Sequence, residues 1–372
     1  MSGPGQSSQD VPLAGAYINR IGTAVPHHDV HQTFIGFVDQ FLPERKDKLI
    51  FRRMVQRSGI EHRYSTLPPS ENLEAAADQE GFFRPRQFAG TAARMKRFET
   101  HAVDLAQQAV EALDLNEDLA SITHMVVASC TGFTAPGVDQ QLMERLGLNP
   151  SIERTMVGFM GCAAAVNALK VAHHIVRSEP SAKVLVVNLE LCTLHLQETS
   201  DLEVILGALL FGDGCAASLV SAEPKGIALR DFRVATIPDT RDLITWRIGD
   251  AGFEMSLSGD VPQQITKALR HEGTRNDDGG ILRGQIKDDF DLWAVHAGGR
   301  TILDAVEQGL DLGPEALRWS RGVLRDFGNM SSATLMFVLG RIMQDAPASS
   351  NGFGMAFGPG LVAETFRFTL AG

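Results

Sequence analysis

The chain has 372 residues, 44% hydrophobic and 21% charged, an ordinary globular composition long enough for a sizeable core as two domains or one large one. Its formal net charge of −11 argues against a general affinity for nucleic acid or an anionic membrane, and leaves room only for a local basic patch. No basic-then-apolar leader and no run of membrane-span length stands out. The four cysteines, Cys130, Cys162, Cys192 and Cys215, form no CxxC pair, so no metal site or disulfide scaffold is expected and a reducing cytoplasm fits.

Taken in chain order, residues 1–16 begin polar and Gly/Ser-rich and are expected to be a disordered tail. The segment "KDKLIFRRMVQRSGIEHRY" (46–64) puts Arg53 and Arg57 four residues apart, on one face of a helix. The polar, Pro- and Gly-rich stretch 65–87 reads as a long surface loop, and so does 270–289. Helical periodicity follows in 97–115, 163–178 and 299–310, and strands are predicted at 123–130, 183–192, 215–222, 227–236, 291–297 and 366–370. Continuous apolar strands between amphipathic helices imply an α/β architecture with sheets covered on both faces. Each half of the chain carries a strand–loop–helix unit with a reactive side chain at its junction, and a boundary near "SAEPKG" (221–226) separates them.

Three junctions carry chemistry. In "VGFMGCAAAVNALK" (157–170), Cys162 falls where an apolar run turns helical. Unpaired N–H groups and the helix dipole favour a thiolate there, and the flanking glycine and alanines leave room for a substrate. A small buried cysteine in the core is the plainer reading. In "WAVHAGGRTILDAVE", His296 ends an apolar strand and precedes a glycine pair and a helix; it is either structural or a donor facing a cavity. In "FGNMSSATLMFVL", Asn329 follows Gly328 in a turn before an apolar helix, either as turn chemistry or as a neutral donor. Together they offer a nucleophile and two oxyanion donors. Their separations in sequence do not follow from chemistry.

These segments, together with "SCTGFTAPGVD" (129–139), "LLFGDGCAA" (209–217) and "AFGPGLVAETF" (356–366), occur in an order that resembles the type III polyketide synthases of the chalcone synthase superfamily, in their bacterial form. The resemblance runs from about residue 17 to the C-terminus. It implies a thiolase-like fold, two related βαβαβ-type halves in a layered α-β-α-β-α core, divided as 17–225 and 226–372. It also implies a homodimer and decarboxylative condensation of malonyl-CoA onto an acyl-CoA starter, with CoA thioesters as substrates and no cofactor. On that reading Cys162 takes the acyl group, while His296 and Asn329 hold the thioester carbonyl of malonyl-CoA as it loses CO₂. His296 would also support the Cys162 thiolate as an ion pair.

The same resemblance implies a substrate-binding set of Arg53, Arg57, Thr131, Ala135, Cys192, Phe211, Met255, Ser331 and Pro359. Arg53 and Arg57 fall on two of three basic CoA contacts, with Ile50 at the third; a solvated basic face is the plainer alternative. Ala356 replaces the first glycine of the family's closing GFGPG. Met255 stands where the plant enzymes have a gatekeeping phenylalanine, Trp246 where they have a glycine, and Phe211 matches the other gatekeeper. Small side chains at Ala135 and Cys192 suggest space for a long acyl tail, at roughly 0.8 kcal/mol per buried CH₂. The expected products are therefore alkylpyrones or alkylresorcinols from medium- or long-chain starters. A malonyl-primed synthase of small aromatics, a ketoacyl-carrier-protein synthase III, a papain-like cysteine hydrolase and an inert acyl-CoA-binding protein are the competing readings.

Overall fold

The computed structural model describes residues 15–272, 275 and 280–371. The expected tail at 1–16 lies outside them except for its last two residues. The first half of the chain runs through β1 (Ala16–Ala24), β2 (His28–Asp29), α1 (His31–Val38), α2 (Arg45–Ser58), β3 (Tyr64–Ser65), β4 (Phe83–Arg84), β5 (Gln87–Phe88), α3 (Thr91–Glu111), β6 (His124–Ser129), α4 (Val138–Arg145), β7 (Glu153–Gly158), α5 (Ala164–Ser178), β8 (Val184–Leu191), α6 (Leu202–Ala208) and β9 (Asp213–Ser221). The second continues through β10 (Gly226–Thr236), β11 (Ile244–Gly249), β12 (Gly252–Leu257), α7 (Val261–Glu272), β13 (Leu292–Val295), α8 (Arg300–Leu310), α9 (Arg318–Phe327), α10 (Ser332–Asp345), β14 (Asn351–Gly358) and β15 (Val362–Ala371). All six predicted strands and all three periodic helices form, within a few residues at their ends.

Among the described residues, nine strands make one mixed sheet in the order β13-β14-β15-β10-β1-β9-β8-β6-β7. It is two related sets joined edge to edge where β1 pairs antiparallel with β10. In the first set β1 pairs antiparallel with β9, β9 with β8, and β8 runs parallel to β6. In the second, β10 pairs antiparallel with β15, β15 with β14, and β14 runs parallel to β13. Only the first set carries an outer strand, β7, whose residues are mostly exposed.

Alternation along the strands explains the layering. Val126 and Ala128 of β6, Val184 and Val186 of β8, and Leu292 and Ala294 of β13 all face one shared cluster built on α5 and α10. The opposite faces diverge. Met125, Val127 and Leu185 pack under α3, whereas Trp293, Val295, Phe353 and Met355 pack under α7 and α8. The result is a thiolase-like α-β-α-β-α stack with α5 and α10 at its centre. A helix covered on all sides needs apolar or small residues all round, and α5 buries Ala164, Ala165, Ala168 and Ala172 while α10 is buried without a break from Ser332 to Leu339.

Two expected loops differ from their reading. Within 65–87, Leu67 and Phe83 are buried against α3, and the carboxylate of buried Asp78 accepts the N–H groups of Phe82 and Phe83, so this polar stretch is a packed cover. In 270–289, residues 270–272 finish α7, Ile281 and Leu282 are buried, and 273, 274 and 276–279 lie outside the described residues. Strand β14, "NGFGMAFG", carries glycines that lower strand propensity. The Phe368 and Phe366 rings of β15 fill the space that side chains at Gly352 and Gly354 would occupy.

Candidate active site

Each junction singled out in the sequence is shaped by backbone that few residue types tolerate. After β7 the chain turns through Phe159 (φ 58°) and Gly161 (φ 59°) into a short 3-10 turn, Gly161–Ala163, which holds Cys162 half-buried immediately ahead of α5. A Cβ on Gly161 would lie 2.5 Å from Cδ of Pro359. Glycine and proline are therefore a matched pair here, and "AFGPG" forms the wall over the thiol.

His296 follows β13 directly. Its backbone N–H donates to the Met355 carbonyl at 2.8 Å, and its ring is 2% exposed with neither nitrogen bonded to the protein. Asn329 follows Gly328 (φ 69°), whose Cβ would meet the Leu210 carbonyl at 2.7 Å. The Asn329 side chain accepts the Ser331 N–H at 2.8 Å and donates to the Gly298 carbonyl at 3.1 Å. That pair fixes the amide, with its NH₂ toward the loop after His296. Its backbone forms a parallel bridge with Phe211, which ties that side chain to the same junction.

Cys162, His296 and Asn329 line one cavity, together with Thr131, Cys192, Phe211, Met255, Ser331 and Pro359 from the expected set. Burial favours the neutral form of each reactive group taken singly. It pushes the Cys162 thiol up to about 11, against hydrogen bonds from Ser331 and Asn329, and drives the His296 imidazole down to about 3. Burial thus opposes a resting thiolate–imidazolium pair.

Cys130 and Glu190 were not anticipated, whereas Trp246 was read as shaping the cavity. Cys130 borders the cavity, and its sulfur accepts the Gly161 N–H at 3.0 Å. The Trp246 indole donates to the Cys130 carbonyl at 2.9 Å, and Trp246 lies opposite Met255 across the β11–β12 hairpin. Beneath the cavity sits Glu190, which accepts from the Cys130 N–H, the Thr131 hydroxyl and, at 2.6 Å, the Ser332 hydroxyl. Burial raises its carboxyl to about 7, against those hydrogen bonds. An acid at an inward position of "VLVVNLEL" was the available signal.

A second, largely apolar cavity lies on the far side of Cys192, Phe211, Trp246 and Met255, which border both spaces. Phe34, Leu67, Phe83 and Val204 line its interior. Ala135 lies elsewhere. It is exposed, ahead of Pro136, and in the single chain borders neither cavity. Of the two small residues expected beside the cavity, Cys192 borders both spaces and Ala135 neither. Arg53 and Arg57 are also exposed and reach neither cavity, although the Arg57 carbonyl accepts from Arg300 at the start of α8, whose Ile302 lines the first one. Among the described residues no His, Cys, Asp or Glu cluster is suited to a metal, and no helix is long and apolar enough to cross a membrane.

Comparison with known proteins places this geometry. The profile for the N-terminal domain of chalcone and stilbene synthases matches residues 7–224, and that for their C-terminal domain matches 230–370. An alpha-pyrone synthesis polyketide synthase-like protein of Mycobacterium tuberculosis is 35% identical over 377 aligned residues, covering 96% of this chain and 92% of the relative. Among solved structures, PKS-I of the brown alga Ectocarpus siliculosus superposes with a TM-score of 0.84 at 27% identity, covering 97% of this chain and 100% of the other. The 1,3,6,8-tetrahydroxynaphthalene synthase of Streptomyces coelicolor does so with a TM-score of 0.82 at 26% identity, over 96% and 99% of the two chains.

Proposed function

The chain belongs to the chalcone and stilbene synthase family and is a type III polyketide synthase, an acyltransferase, and from that premise we propose how its site works and what it accepts. The Cys162 sulfur attacks the carbonyl of an acyl-CoA starter, His296 takes the thiol proton, and the CoA thiolate leaves and is reprotonated. The ion pair formed in that step offsets part of the burial cost that holds each group neutral alone. Malonyl-CoA then enters with its thioester carbonyl between His296 and Asn329. Its bond to the carboxylate breaks, CO₂ departs, and the electron pair becomes an enolate held by the two donors. The enolate carbon attacks the Cys162 thioester, expelling the Cys162 thiolate and lengthening the chain by two carbons. Arg53 and Arg57 meet the CoA phosphates outside the cavity, and no cofactor beyond the thioesters takes part.

The observation that carries the choice of starter is the second cavity. An apolar space behind four side chains suits a medium- or long-chain acyl tail, since each buried methylene adds roughly 0.8 kcal/mol. The name of the mycobacterial relative supports alkylpyrone products, with alkylresorcinols as the other closure. Mass spectrometry of products from a panel of acyl-CoA starters with malonyl-CoA tests this. Long-chain alkylpyrones or alkylresorcinols are expected. Products built from malonyl units alone would favour the small-aromatic reading that the tetrahydroxynaphthalene synthase neighbour represents.

Free cysteines and CoA substrates suit a cytoplasmic enzyme. Exposed Phe133, Met156 and Met160 beside the open edge of β7 suit a homodimer contact. Ala135, on the loop carrying Phe133, would lie at that contact. Sedimentation equilibrium at micromolar concentration should return a dimer mass.

A further inference from the structure

Helix α2 carries six basic residues and one acid in a chain whose net charge is −11. Its inner side is anchored by Phe51 and Val55, which pack with Phe34, Leu42 and Ile205, and by Lys48 and Arg52, which pair with Asp39. The remaining side is exposed. At about 100° per residue, Arg45, Lys46, Leu49, Ile50, Arg53 and Arg57 fall within an arc of about 140°. None of those four cations makes an ion pair among the described residues, and no acid shares the arc. Leu49 stands inside the arc and Ile50 at its edge, 59% and 37% exposed.

Cations alone would suit the phosphates of a soluble thioester, and Arg53 and Arg57 serve that purpose above. Two bared aliphatic side chains do not. Arg45 and Lys46 also stand two turns further out, about 12 Å from Arg53 along the axis. Aliphatic side chains set among unpaired cations fit a layer that offers both hydrocarbon and negative charge. We propose that the outer face of α2 docks on an anionic phospholipid surface, with Leu49 and Ile50 entering the acyl boundary and Arg45 and Lys46 meeting headgroup phosphates. The far end of α2 holds Arg300 at the start of α8, two residues before Ile302 of the cavity lining. Docking would therefore hold the site close to a layer where amphiphilic acyl thioesters concentrate. This extends the long-acyl reading without depending on it.

Co-sedimentation of the full chain with phosphatidylcholine vesicles, with and without about 30% phosphatidylglycerol, tests the proposal at about 0.1 M salt, where the Debye length is about 10 Å. The protein should bind the anionic vesicles only and be released at about 0.5 M salt. At roughly fivefold in partitioning for each basic side chain near the surface, Arg45→Glu/Lys46→Glu should reduce binding at least tenfold. Leu49→Glu should do the same. Both variants should keep their turnover of acetyl-CoA and malonyl-CoA in solution, which shows that they are folded. Equal binding to neutral vesicles, or binding undiminished in both variants, would overturn the proposal. So would absence of binding to either vesicle, which would leave an acidic protein as the occupant. Failure of the starter panel would leave the vesicle result standing, so the two readings fail separately.

Discussion

The two halves of the molecule hold the same frame and fill it with different chemistry. In the first, the segment before central helix α5 carries Cys162, and the strand end of β6 carries Cys130. In the second, the segment before central helix α10 carries Asn329 and Ser331, and the corresponding strand end of β13 carries His296. Both helix approaches need a glycine at positive φ, Gly161 and Gly328. The shared backbone aims Cys162, His296 and Asn329 into one cavity, and on the proposed reading side-chain identity makes the first a nucleophile and the other two donors. The outer strand differs as well. β7 leaves an open edge beside Cys162, and among the described residues the second half has no counterpart to it.

That comparison breaks most sharply at the nucleophile. Cys162→Ala should abolish polyketide formation with every starter, measured by product mass spectrometry. Appreciable condensation in that variant would move the nucleophile elsewhere, Cys130 being the first alternative. Next come the donors of the second half: His296→Gln and Asn329→Ala should each slow malonyl-CoA decarboxylation by about 10²–10³-fold, the usual loss for one oxyanion donor. Unchanged CO₂ release in both would remove their assigned role.

A smaller effect is expected where the halves meet. Glu190 of β8 accepts from Cys130 and Thr131 of the first half and from Ser332 of the second. Its carboxyl, raised by burial from 4.5 to about 7, holds a proton in the folded state that the unfolded chain has lost. The folded state binds more protons between those values, so stability falls as pH rises through that window and levels off above it. Glu190→Gln should flatten this slope, removing a pH dependence on the order of 3 kcal/mol. Urea unfolding between pH 5 and pH 8 reads it, and parallel pH profiles in the two proteins would refute the assignment. The smallest effect belongs to the wall between the cavities. Cys192→Phe should cut turnover of a long acyl starter about tenfold by overpacking and leave acetyl-CoA turnover nearly unchanged. An equal loss for both would show that the second cavity is not where the tail goes.

Much of this arrangement was legible in one dimension because the strands that build it are buried on both faces. The runs 183–192 and 215–222 are mainly apolar on both faces, and the reactive residues sit at junctions between elements. Strands with weaker patterns escaped. β7 is mostly exposed, so its residues lack an apolar period, and β14 spends alternate positions on glycine to admit the rings of β15. The cavity wall was less legible because it is tertiary. Trp246 and Met255 meet only through the β11–β12 hairpin, and nothing local in "TAPGV" tells that Ala135 faces away from the cavity of its own chain. Glu190 was visible as an acid inside an apolar strand, but its surroundings come from elsewhere in the chain, from Cys130 and Thr131 after β6 and from Ser332 of α10.

The division of labour between the halves is tested most directly by loading Asn329→Ala with a long-chain acyl-CoA and mapping the acyl group by peptide mass spectrometry. The account predicts an acyl thioester on the peptide carrying Cys162 at the stoichiometry of the unaltered protein, while malonyl-CoA decarboxylation by the same variant is lost. Loss of loading in step with decarboxylation, or an acyl group on any other cysteine, would contradict it.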